Sequence, residues 1–330
     1  MTEVAPASES ACDQWWIMQR IPRPDIVETL PKIDKNAARL DVLIARAAPM
    51  AVVLRRGPVT HTRMLIWNLK DDTLEGGQWV RHKIYSRRCD LSADGRRFSY
   101  FAAKFKGPLY SWTAISRPPY FTALALWEGI GAWGGGALLD EGAVRLNHRG
   151  GFEAPKDSAI PRQVKVLPLN ERAGAGEDDP FHMIRLMRDG WNYGERPQAS
   201  WQPYGSRVSL VFDPPRLRTK PLHLALSGRK AAAKDGMLRV FTHARFEKDG
   251  RSYVETADAL DKNGELILDL GRVEWADLDH NGDVLYAMEG CLYRIPRTKD
   301  AARFGEPKRV ADLNDMKFEA VRAPERARHW

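Results

Sequence analysis

From residue 50 onward, apolar residues come in short runs, as in "AVVLRR" (51–56), "RMLIWNL" (63–69) and "QWVRHKIY" (78–85). Clusters of Asp, Asn and Gly separate them, and the runs are rich in β-branched and aromatic residues, which predicts strands joined by tight turns. The stretch before Pro49 reads differently. In "PKIDKNAARLDVLIARAAP" (31–49), Ile33, Ala37, Leu40, Ile44 and Ala47 recur at helical spacing, and Asp34 stands where it could cap the start. This predicts one short amphipathic helix packed on the domain. The expected division is therefore a tail and helix over 1–49, with residues 1–13 disordered, and a strand-built domain over 50–330.

"EWADLDHNGDVLYAMEG" (274–290) places Asp277, Asp279, Asn281 and Gly282 as the first, third, fifth and sixth positions of an EF-hand calcium loop. The twelfth position is Met288, whose thioether cannot replace the bidentate carboxylate that calcium needs there. The flanks read as strands, and Asn-Gly supplies the positive φ angles of a tight hairpin. A hairpin is expected. "CDLSADGRRFSYFA" (89–102) lays over "ADLDHNGDVLYA" (276–287), so one strand–turn–strand unit occurs twice. A strand also ends just before the next unit begins in "FTALALWEGIGAWGGGALLDEG", "HMIRLMRDGWN" and "RVADLNDMKFEAVRAP". Unit starts fall near 88, 133, 191, 274 and 317, and the intervals 88–133 and 274–317 fit four-stranded propeller blades of ~40–50 residues. The expected fold is an all-β propeller of five blades, or six if the long fourth unit holds another. That unit is expected to carry an insertion near 214–236. The last unit has one strand, "KFEAV" (317–321), so closure by pairing of N- and C-terminal strands is expected.

"DLSADGRRFSYFA" resembles the strand–turn–strand of TolB-type β-propeller repeats, whose signature is a Ser-Pro-Asp-Gly turn before an apolar strand. Ala93 stands where that pattern has proline, and the second copy keeps only Asn-Gly, with Asp279 for serine and His280 for proline. The end-to-end organisation is also similar to bacterial propeller proteins. The resemblance implies an architecture and no activity.

The formal charge of +8 and pI of about 9.4 raise nucleic acid as a partner. The densest basic segment, 81–106, holds Arg81, Lys83, Arg87, Arg88, Arg96, Arg97, Lys104 and Lys106, but these straddle successive strands and turns. A nucleic-acid role would need them on one face. The three cysteines (Cys12, Cys89, Cys291) have no metal spacing. No apolar run is long enough to span a bilayer. The N-terminus lacks the basic-then-apolar order of a signal peptide, so a cytoplasmic location is expected.

Gly129, Gly131 and Gly134 of "GIGAWG" fit dinucleotide spacing, but a strand and turn follow rather than the helix that would face a pyrophosphate. Close backbone approach explains Gly134 to Gly136 better. No catalytic motif appears, and the eight histidines are scattered. Propeller sites assemble from several blades around an axis, so an axial site would draw first on Asp90, Asp140, Glu274 and Asp277, which lie near unit starts. Trp112, Trp127, Trp133, Trp191, Trp201 and Trp275 are expected to pack between blades, with a minority on a binding face.

The leading expectation is a non-enzymatic scaffold that binds a protein or peptide on one propeller face, without cofactor or metal. The alternative is a lactonase- or glycosidase-like propeller hydrolase with an axial acidic or metal site. Nucleic-acid binding through 81–106 comes third. Three or more acidic or His side chains converging on the central channel would favour the hydrolase class. An apolar or glycine-lined channel would favour the scaffold.

Overall fold

The computed structural model describes residues 34, 36–57, 61–129, 131–204, 207–222, 236–245, 253–298 and 304–330. Among them are five sheets, whose strands pair antiparallel except for one parallel pair. The first sheet is β1 (Arg39–Ile44), β2 (Met50–Arg56), β3 (Thr62–Asn68) and β4 (Thr73–Val80) in sequence order. The second holds β5 (Lys83–Ile84), β6 (Asp90–Leu91), β7 (Phe98–Ala103), β8 (Ser111–Ser116) and β9 (Ala123–Gly129). The third is β10 (Ala137–Asp140), β11 (Ala143–Leu146) and β12 (Lys165–Pro168), with β12 parallel to β11. Helix α1 (Phe181–Arg188) follows. The fourth sheet comprises β13 (Asn192–Tyr193), β14 (Gln198–Tyr204), β15 (Arg207–Pro221), β16 (Gly236–Ala244), β17 (Val254–Asp261) and β18 (Leu266–Val273). The fifth is β19 (Trp275–Leu278), β20 (Val284–Met288), β21 (Cys291–Ile295) and β22 (Lys308–Asp312).

The helix expected before Pro49 is instead strand β1, paired along its length with β2 from Arg39↔Arg56 to Ile44↔Ala51. The physical reason is burial on both faces. Leu40, Val42 and Ile44 enter a cluster with Ala51 and Val53, whereas Leu43 enters another with Val52 and Leu54. Without a polar face, "RLDVLI" fits either period, and pairing with β2 decides. The first sheet therefore starts ahead of Pro49. The tail over 1–13 lies outside the described residues.

Closure by pairing of terminal strands is also overturned. The fourth strand of the first sheet is supplied by β1 itself, so "KFEAV" has no strand to join. Residues 313–324 contain no strand and run across the first sheet, tied by side chains. Arg55 donates to the carbonyls of Leu313 (3.0 Å) and Asn314 (2.6 Å), and Gln78 donates to that of Val321 (3.1 Å). Trp330 packs among Ile115, Trp127 and Leu139.

Two further expectations change. Residues 181–188 are helical, not the end of a strand. Phe181, His182, Arg185 and Leu186 make one buried stripe, and Gly190, at φ +91°, follows the helix end. Of the expected insertion, residues 214–221 belong to β15 and Gly236 opens β16. Pro214 and Pro215 fall in the register shift between Val211 and Arg216, where no ladder bond to β16 is required. Residues 223–235 lie outside the described ones.

The sheets touch in sequence order. β1 contacts β6 of the second sheet, and β6 and β7 contact β10 of the third. On α1, Phe181 packs with Leu138 and Leu169, while Leu186 joins the core of the fourth sheet beside Trp191. β16 and β18 contact β19 and β20, which return to β1. The close approach expected of the glycine run is present: a Cβ on Gly136 would sit 2.6 Å from the Arg88 carbonyl oxygen. Among the described residues no helix is long and apolar enough to cross a membrane.

Candidate functional site

Where β1, the 3-10 turn Ser86–Arg88, α1, β15 and β19 face one another, they enclose a cavity of about 490 Å³. A smaller one of about 170 Å³ adjoins it, and Asp41, Ser86, Arg87 and Glu274 line both. Each element delivers its side chains by its own period. Alternation on β15 puts Arg218 and Lys220 on one face, and the helical repeat puts His182, Arg185 and Arg188 within reach of the cavity.

Glu255, at the start of β17, is held by four side-chain hydrogen bonds. It accepts from both terminal nitrogens of Arg218 (2.9 Å each), from Arg87 (2.6 Å) and from the Thr242 hydroxyl (2.9 Å). Burial pushes its carboxyl up, but Arg218 and Arg87 outweigh that and bring it down to about 2. Arg87 also lies over the Tyr253 ring and contacts His182 Nδ1 at 3.4 Å. Burial, reinforced by Arg87, Arg185 and Arg218, holds His182 well below the usual imidazole range, so the ring is neutral. With Arg87 donating to Nδ1, its proton belongs on Nε2. Asp41 is different. Burial raises its carboxyl, and a Ser86 hydrogen bond and the Arg87 charge only partly offset that.

The four carboxylates singled out from the sequence divide in two. Glu274 and Asp277 line the cavity. Asp277 accepts from Lys220 Nζ (2.6 Å), Trp191 Nε1 (3.3 Å) and the Leu278 amide (2.7 Å), and Glu274 accepts from the Leu40 amide (2.9 Å). Asp90 and Asp140 sit behind the wall. Asp90 takes two bonds from Arg188 (2.6 and 2.9 Å) and one from the Leu139 amide, and Asp140 pairs with Arg145 (2.8 Å). They anchor α1 rather than face the cavity. Among the described residues, no three His, Cys, Asp or Glu side chains group so as to hold a metal ion.

Sequence reasoning missed Asp41, His182, Arg185, Arg218, Lys220 and Glu255, and took Arg87 only as part of the basic segment 81–106. The signals were Arg-x-Lys alternation at 218–220 and the spacing His182, Arg185, Arg188. The basic segment 81–106 does not gather on one face. Arg88 is 1% exposed and donates to Asp178 (3.0 Å) and the Gly134 carbonyl (2.8 Å), while Arg87 turns inward to Glu255. Trp112, Trp127 and Trp191 are buried as expected of packing residues, whereas Trp133 and Trp201 are exposed.

No family model matches the chain, and no curated protein does. Among solved structures it is similar to the GH43 BlXynB protein from Bacillus licheniformis, at 10% identity and a TM-score of 0.26. The match covers 89% of this chain and 60% of that one, so the chain spans less than two thirds of that protein's length.

Proposed function

We propose that the five sheets are blades of a β-propeller and that the cavity between them binds a small polar molecule. The observation that carries this reading is the cavity lining. Asp41, His182, Glu255, Glu274 and Asp277 converge there with Arg87, Arg185, Arg218 and Lys220, from several separate elements. An apolar or glycine-lined channel would have favoured a scaffold, and this lining supports the small-molecule class instead. Its volume also suits such a ligand, since pockets for small molecules commonly run to several hundred Å³.

The test is a thermal-shift screen of the full chain against sugars, lactones, glycosides and small organic acids. A ligand at a hundredfold excess over its dissociation constant stabilises by about 2.7 kcal/mol, enough to see as a melting shift. At least one compound should raise the wild-type melting temperature and lose most of its effect on Lys220→Ala. Hits that act equally on both proteins would place binding outside the cavity and defeat the reading.

A further inference from the structure

Arg185 is 8% exposed and lies on the cavity wall. Its Nε is buried without an acceptor, and no carboxylate among the described residues lies within 4 Å of its guanidinium. The other basic side chains of the same wall each lie within 4 Å of a carboxylate. Arg87 and Arg218 share Glu255, Arg188 holds Asp90, Lys220 holds Asp277, and Arg46 lies 3.5 Å from Asp189. The nearby acids have other engagements: Asp41 bonds Ser86, and Glu274 accepts the Leu40 amide. A guanidinium N–H buried without an acceptor is unfavourable, because a charged donor has left water with nothing to replace it.

From this we infer that Arg185 is the anchor for an anionic group, a carboxylate or phosphoryl oxyanion, carried by the cavity's ligand. The inference rests on the cavity reading above and specifies the ligand's chemistry. Arg185 offers the planar fork that binds carboxylate or phosphate through two parallel bonds. His182, one helical turn away, adds a neutral Nε2–H donor. Arg218 contributes an Nε that is likewise buried without an acceptor. The occupant is therefore an acid whose charged end meets α1 and whose remainder extends toward Lys220 and Asp277.

Calorimetric titration and thermal shift of the full chain would use inorganic phosphate, malonate and citrate, with sodium chloride at matched ionic strength as the reference. Neutral sugars are the second class of probe. At least one anion should stabilise the wild type saturably above the chloride reference. Arg185→Met should weaken that binding at least tenfold, yet melt at or above the wild-type temperature when unliganded, because an uncompensated buried charge has gone. Arg185→Lys should keep the fold and part of the affinity, and it decides the matter if the methionine variant does not fold. Anion binding unchanged in Arg185→Lys and Arg185→Met would overturn the inference, as would an Arg185→Met protein that melts well below wild type while keeping its anion response. A neutral probe that binds, loses effect in Lys220→Ala and has no anionic rival would overturn the anionic assignment while leaving the cavity reading standing. Binding of neither class would overturn both.

Discussion

Glu255 holds two buried arginines on the cavity wall, and its removal has a calculable signature. Glu255→Gln leaves Arg87 and Arg218 buried without their shared counter-charge. Breaking a buried pair in this way costs about 3–5 kcal/mol, which urea unfolding at pH 7 would measure. The pH dependence follows from a carboxyl held at about 2 in the folded chain. An unfolded glutamate titrates near ~4.3. The stabilisation is thus fully present above that value and is lost as the pH falls toward 2, so the deficit of the variant should shrink over that window. A deficit that stayed constant from pH 6 to pH 2.5 would mean that the charge of Glu255 is not what stabilises the fold. At this scale Glu274 and Asp277 were legible because they lie at the start of β19, which the following Asn-Gly turn announces. Arg185 was not, because a buried arginine without a partner looks in sequence like any solvated one.

The hairpin of β19 and β20 shows why turns read well. Asp279 accepts from the amides of Asn281 (2.8 Å) and Asp283 (3.0 Å), and its other oxygen pairs with Arg294. Its backbone carbonyl accepts from Gly282 (3.1 Å), which sits at φ +83°. Apart from the Arg294 pair, this is local chemistry, available to anyone reading Asp-His-Asn-Gly-Asp. Gly282→Val places a β-branched residue in the left-handed region and should cost about 1–3 kcal/mol. An unchanged melting temperature would contradict the turn geometry. Elements buried on both faces read poorly, by contrast. In β1 no solvent-facing polar stripe selected between periods 2 and 3.6, and in α1 the apolar run was short enough to pass for a strand. Pro214 and Pro215 suggested a loop because the register shift that tolerates them depends on a partner strand far away in the chain.

Across the whole molecule, unit starts near 88, 133, 191 and 274 lie beside the beginnings of the second to fifth sheets, since each start is marked by turn residues. The contact between the first sheet and residues 313–314 was not legible. Arg55 reaches the carbonyls of Leu313 and Asn314 across more than 250 residues, and nothing in either segment names the other. The cavity likewise exists only once β1, β15, β19, the 86–88 turn and α1 meet, so its charged lining has no linear signature. Crystals of the full chain soaked with a panel of small polar compounds give the most direct test of a ligand site there. If the cavity is that site, ligand density should appear among Arg185, His182 and Lys220 in preference to the outer surface. Bound compounds gathered on the exposed Trp133 or Trp201, with only water in the cavity at saturating concentrations, would contradict it.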